Sequence, residues 1–324
     1  MMLVVGYKVT VGGAALEPGD QAPLLSLLCQ AALDVPANRC RIAVHGGSDL
    51  AAKPGDAVSV ELGHGDALEK VFTGTVAGVA QGFAGIEVEA LGSFAGLAAG
   101  RLNLLYEKQT AGAIVSDVLG RVGATEGKVE AGPKLPSFAL DDGRTLWAHL
   151  RALATRCGFD LYADADDKAQ FKAYAAAATH AFSFGVDVLA YEHGAAPAEV
   201  EGVEVLGESP AGQGQGDDAS AWLTKKDVKG TAGKTSGRVL RVADRAARNP
   251  NLAGDFAKGL LAPHQPTARG GVRLVGAPAV KLGDAVKLEK LPVAAHNGEG
   301  RVTAVRHRLH ARLGFVTDVE WERA

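Results

Sequence analysis

Apolar and polar residues alternate twice in nearly the same order along this chain. The first copy is Gly55-Asp56-Ala57-Val58-Ser59-Val60-Glu61-Leu62, and the second is Gly283-Asp284-Ala285-Val286-Lys287-Leu288-Glu289-Lys290-Leu291. Each is a Gly-Asp turn leading into period-two alternation, the signature of a half-buried strand. The continuations match too. Phe72-Thr73-Gly74-Thr75-Val76-Ala77-Gly78-Val79 and then Gly85–Ala90 follow the first copy, while Gly298–Val305 and then Gly314–Trp321 follow the second. This order predicts two related β-modules, one towards each end of the chain. Gly55, Asp56, Gly74, Gly283, Asp284 and Gly300 are its expected structural repeat turns, and none of them is catalytic.

Between and around the copies the period changes. Tyr7–Gly13 reads as an alternating strand ending in a turn. Leu24–Gln30 has the length of a helix, but a strand pairing with Arg39–His45 across the polar Asp34–Asn38 loop fits the alternation better. The first module is therefore placed at 1–92. Thr110–Val122 carries Ile114, Val118 and Leu119 at helical spacing and stops at Gly123. In a second helix Thr145 is the N-cap, Leu146, Leu150, Leu153 and Cys157 share a face, and Gly158 is the stop. Two alternating runs follow around an acidic turn, so the inserted region, 93–200, is expected to hold two helices and a hairpin.

Beyond Glu201, Val203 and Val205 alternate, and Pro210–Asp218 is too poor in apolar residues to pack, which predicts a mobile loop tip. Asn249 and Pro250 start a third helix with Leu252, Phe256 and Leu260 as its apolar stripe, and Pro263 ends it. The segment 201–268 is read as a connector with this helix. The second module is placed at 269–324, entered by a strand at Gly271–Pro278 and open to recruiting strands from 201–240. The expected class is a β-dominated α+β fold: two related β-barrel modules flanking an inserted α+β region.

Composition narrows the function. The 324 residues suffice for two or three domains, and 47% apolar with 22% charged residues is ordinary for a globular protein. The 42 glycines with only 6% aromatics fit many turns between short strands. A formal charge of −3 gives no reason to expect nucleic acid or an anionic membrane as the main partner. Met1–Val11 has no basic segment ahead of a long apolar core, and no run approaches the roughly 20 residues of a membrane span. Cys29, Cys40 and Cys157 are scattered, which favours buried thiols in a reducing cytosol over disulfides or zinc.

Candidate chemistry is thin. Gly230-Thr231-Ala232-Gly233-Lys234-Thr235 suggests a phosphate loop, but the required first glycine falls at Val228 and no buried strand precedes it, so a lysine-bearing surface loop is the plainer reading. His149, His180, His193, His296, His307 and His310 offer no paired metal spacing with acids beyond the short His307/His310 pair. Period two puts Arg306, Arg308 and His310 on one face of that strand, a cationic stripe suited to an assembly contact or a solvated basic face. Cys157 lies two helical turns from His149, too far for a thiol–imidazole pair, and belongs to the apolar stripe. Asp164, Asp166 and Asp167 lack the glycine and terminal glutamate of a calcium loop. No catalytic, cofactor or metal residue is assigned, and an enzyme is not expected.

Several phrases together resemble a known family. These are Phe72-Thr73-Gly74-Thr75-Val76, the helix Thr145–Ala154 running into Gly158-Phe159-Asp160-Leu161, Gly276-Ala277-Pro278 leading to Gly283-Asp284, and Gly300-Arg301-Val302 with Val305-Arg306-His307. They look like the phage late control protein D group, the central tail-hub proteins of contractile injection systems. That group is similar to the N-terminal part of type VI secretion spike proteins and to the T4-type baseplate hub.

The resemblance spans nearly the whole chain, in order. It implies a homotrimer with two barrels per chain, hence a pseudo-sixfold ring joining a hexameric inner tube to a trimeric spike. Implied partners are the inner tube protein, the spike and other baseplate components. The implied location is the tip of a phage tail or phage-like particle assembled in the bacterial cytoplasm. Ala324 directly follows the closing strand, so the resemblance implies a spike on a separate polypeptide. Assembly of this kind buries more than about 2,000 Å². Other readings are an adaptor or distal-tail ring of a non-contractile tail, and a tail-associated cell-wall hydrolase, for which no paired carboxylates or Cys/His geometry is found.

Overall fold

The computed structural model describes residues 4–19, 24–207 and 228–323. The first part is all strand: β1 (Val5–Val11), β2 (Ala14–Leu16), β3 (Leu24–Ala32), β4 (Arg39–His45), β5 (Ala57–His64), β6 (Ala67–Gly82) and β7 (Gly85–Leu91). Leu24–Gln30 is strand and pairs with Arg39–His45, Cys29 facing Cys40. Alternation decides this, because Leu24, Leu27 and Cys29 point into one core with Ile42, Leu62, Phe72 and Val88.

The middle is α1 (Ala95–Ala99), β8 (Leu104–Thr110), α2 (Ala111–Arg121), β9 (Thr125–Val129), β10 (Lys134–Leu140), α3 (Leu146–Cys157), β11 (Asp160–Ala163) and β12 (Lys168–Lys172). The helices start where side chains accept the first free amides: Thr110 Oγ1 takes the Ala113 amide and Thr145 Oγ1 the Ala148 amide, each at 3.2 Å. Gly158 closes α3 in the left-handed conformation, φ 68°. Besides the two helices and hairpin that the periodicity marks, the region holds α1, the β8–β10 pair, and β9 lying parallel to β12.

Next come β13 (Thr179–Ser183) and β14 (Val188–Ala196), then β15 (Gly202–Gly207), β16 (Lys229–Gly233), β17 (Val239–Asp244) and α4 (Pro250–Leu261). The chain ends with β18 (Thr267–Val275), β19 (Ala285–Glu289), β20 (Gly298–His310) and β21 (Gly314–Arg323). Asn249 Oδ1 caps α4 through the Leu252 amide at 2.9 Å. Among the described residues, the strands of 201–240 do not join the C-terminal sheet. They form their own three-stranded sheet, and Val203, Val205 and Phe256 share the core of α2 and α3. β13 and β14 are the strands that join it, through β19 and β18. The Pro210–Asp218 stretch lies outside the described residues.

Among the described residues thirteen strands form one mainly antiparallel sheet, its N-terminal and C-terminal parts joined where β20 pairs with β3. The sheet serves two cores. The N-terminal one gathers β1–β7; the C-terminal one gathers Leu274, Val286, Leu288, Val319 and Trp321. No helix among the described residues is long and apolar enough to cross a membrane.

Candidate functional site

The two Gly-Asp turns have the same construction. Asp56 Oδ2 accepts the Lys53 amide at 3.0 Å, and Asp284 Oδ2 accepts the Lys281 amide at 3.0 Å. Gly55 and Gly283 hold φ of 92° and 89°, which a glycine adopts without strain. The turn carbonyls then catch the neighbouring strand: Val76 donates to Asp56 O at 2.8 Å, and Val302 to Asp284 O at 2.9 Å. Gly74 faces Val58 and Gly300 faces Val286, and at both a side chain would crowd the adjacent strand, at Leu91 and at Trp321.

The strands around these turns also correspond. Neighbours run β1-β5-β6-β7-β4-β3 in one half and β13-β19-β20-β21-β18-β14 in the other. Ala57 faces Thr75 as Ala285 faces Arg301. The β6–β7 register breaks between Val76 and Gly78, and the β20–β21 register between Val302 and Ala304. The β3–β4 register breaks between Leu24 and Ser26, and the β14–β18 register between Val188 and Ala190. Bulges are specific devices that re-aim strands, so two pairs at matching places make an accidental likeness of strand order a poor account. Two joints differ: β5 meets β1 antiparallel whereas β19 meets β13 in parallel, and the β5–β6 register breaks between Val60 and Glu61 whereas the β19–β20 register runs unbroken.

The halves are clasped by polar contacts and by the middle region. His64 Nε2 lies 2.8 Å from Gly276 O, and Lys281 Nζ donates to Glu69 at 3.1 Å. The acidic hairpin turn is part of the clasp. Asp167 accepts the Ser93 amide at 2.9 Å, Asp166 pairs with Lys70 at 3.0 Å, and Asn38 donates to Ala163 O at 2.9 Å. Arg301 reaches Asp160 at 3.2 Å and also pairs with Glu322. Glu322 faces Arg301 across the β20–β21 hairpin, but Asp160 comes from β11 in the inserted region, which strand alternation does not reveal.

Arg306, Arg308 and His310 share the outward face of β20, opposite Gln30, Leu28 and Ser26 of β3. The stripe is not bare positive charge. Arg306 pairs with Glu320 at 2.8 Å, Arg308 with Asp318 at 3.1 Å, and Arg273 with the same Asp318 at 2.7 Å. β21 thus turns the expected cationic stripe into a mixed-charge lattice, which lines a depression of about 920 Å³.

The other candidates separate. Gly230–Gly233 lies within β16, and Lys234 Nζ donates to Glu201 at 2.8 Å, so the strand–loop–helix of a phosphate cradle is not formed. His149 Nε2 lies 2.9 Å from Asp141 O, and burial pushes the Cys157 thiol up to about 12, which leaves it unreactive. His180 sits 3.0 Å from Asp284, His193 and His296 stack at 4.0 Å, and buried His307 contacts Thr317 Oγ1 at 3.1 Å. Among the described residues no group of three or more His, Cys, Asp or Glu could hold a metal.

No family model matches the chain, and neither does any curated protein. Solved structures do. The 43 kDa tail protein of prophage MuSo2 from Shewanella oneidensis aligns with a TM-score of 0.69 at 12% identity, over 98% of each chain. The tail protein from Neisseria meningitidis MC58 aligns at 0.70 and 15%, over 99% of this chain and 97% of that one. A component of the E. coli type VI secretion system, described as similar to T4 bacteriophage tail proteins gp27 and gp5, aligns at 0.61 and 14%, over 97% of this chain and 76% of that one. The chain therefore has the fold found in these phage tail and secretion-system proteins, from end to end.

Proposed function

We propose that this chain is the structural hub of a contractile tail or phage-like injection machine. On this reading it forms a homotrimer whose chains each supply two related β-barrel modules to a pseudo-sixfold ring. The carrying observation is the strand order that occurs twice with its bulges and Gly-Asp turns in matching places. Three chains then offer six near-equivalent units to a hexameric inner tube. The middle region has no counterpart in the repeat, so it expresses only the threefold symmetry of a trimeric spike. Gly55, Asp56 and Gly74 are the proposed equivalents of Gly283, Asp284 and Gly300. Arg306, Arg308 and His310, with the acids of β21, are proposed as assembly surface.

The full-length likeness to tail proteins supports this reading. The proposed partners are the inner tube protein, a spike protein and other baseplate components, at the tip of a particle assembled in the cytoplasm. Light scattering of the purified protein tests it. The expected mass is three times the 33.3 kDa of one chain. A strict monomer at micromolar concentration, even with its spike partner present, would refute it.

A further inference from the structure

We infer that Cys29 and Cys40 are an oxidation site, which hydrogen peroxide converts from two thiols into a disulfide between β3 and β4. The inference goes beyond the hub reading and does not depend on it. Of the three cysteines, these two are directly opposed in the β3–β4 register. Alternation turns both into the N-terminal core, where Cys29 is 2% exposed and Cys40 is fully buried. Their Sγ atoms lie 3.5 Å apart, one thiol donating to the other.

The register supplies the geometry that a disulfide requires. Opposed residues on antiparallel strands have Cα atoms about 4.5–5.5 Å apart, inside the range of roughly 4.4–6.8 Å that a disulfide bridges. Both side chains point into one core, so the sulfurs reach bonding distance by side-chain rotation while the strands stay in place. Cys157 lies elsewhere, at the end of α3 against a different core.

The step balances with one molecule of peroxide. One sulfur, as thiolate, attacks a peroxide oxygen; the O–O bond breaks, water leaves and the cysteine becomes a sulfenic acid. The second sulfur attacks the sulfenic sulfur, the S–S bond forms and the hydroxyl leaves as a second water. The two thiols give up two protons and two electrons, and the peroxide is reduced to water. Burial, with the Cys29 sulfur beside it, holds the Cys40 thiol well above its ordinary range. Thiolate is therefore scarce in the closed core, and the link forms slowly, as β3 and β4 open locally. Once formed it pins β3, the strand through which β20 joins the two parts of the sheet. On the hub reading, a reducing cytoplasm keeps the pair as thiols during assembly, and release from the cell exposes it to oxidant.

Peptide mapping of the purified full chain after prolonged exposure to hydrogen peroxide tests the site. Trypsin cuts after Lys8, Arg39 and Arg41, so the link shows as the peptide Val9–Arg39 carrying the dipeptide Cys40-Arg41. This species should be the main oxidation product and should disappear on treatment with dithiothreitol. The variant Cys40→Ala/Arg41→Cys moves one thiol by a single position, to the face opposite Cys29, because Arg41 faces Leu28 and is exposed. It should link roughly tenfold less than the parent. Cys29 and Cys40 that stay as thiols, or that advance to sulfinic acids without linking, overturn the assignment in the unmodified chain. Equal linking of variant and parent overturns it as well, since register would then play no part.

Discussion

Arg301 Nη1 stands 3.2 Å from Asp160 Oδ1 and ties the C-terminal half of the sheet to the first strand of the inserted hairpin. Burial pushes the Asp160 carboxyl up although Arg301 pulls it down. Burial acts to lower the Arg301 guanidinium, yet the charges of Asp160 and Glu322 outweigh it and hold it above its usual range. Removing one partner of such a pair strands the other charge. Arg301→Leu should cost about 3 kcal/mol in urea unfolding, the lower end for a broken buried pair because the arginine is partly exposed. Arg301→Leu/Asp160→Leu should recover most of that loss.

The twin turns differ in their surroundings, and this separates two effects. Gly55 has open space where a Cβ would stand, so Gly55→Ala pays only for the left-handed backbone, about 1–2 kcal/mol. At Gly283 a Cβ would run into the Tyr162 hydroxyl, so Gly283→Ala should cost about 1–3 kcal/mol more. Equal losses in denaturant titrations would contradict the packing at Tyr162.

His307 carries an acid sensitivity. Burial, with Lys281 nearby, lowers its pKa from 6.5 to about 4. The unfolded chain therefore binds a proton between these values that the folded chain refuses, and stability falls as pH drops through that window. The full loss below pH 4 is about 3 kcal/mol. His307→Gln should unfold with a flatter pH dependence between 6.5 and 4 than the parent. An unchanged slope would show that His307 is not the group responsible.

Alternation made β5, β6, β19 and β20 legible in the sequence, because each buries one face. Capping residues did the same for α3 and α4, which Thr145 and Asn249 announce without tertiary information, while α2 was read from the spacing of Ile114, Val118 and Leu119 and the stop at Gly123. β13 and β14 stayed hidden. Alanine, glycine and histidine make up half of them, half of their residues are exposed, and one is fixed by parallel pairing with β19, far along the chain. The stripe of Arg306 and Arg308 was visible on its own strand, but the acids that neutralise it sit on β21. Local period says which face a residue takes and nothing about the strand laid beside it.

Electron microscopy of the purified protein tests the central claim most directly. Class averages should show a ring of six near-equivalent lobes with true threefold symmetry, built from three chains. A monomer, or a ring whose lobes number other than six, would contradict the account.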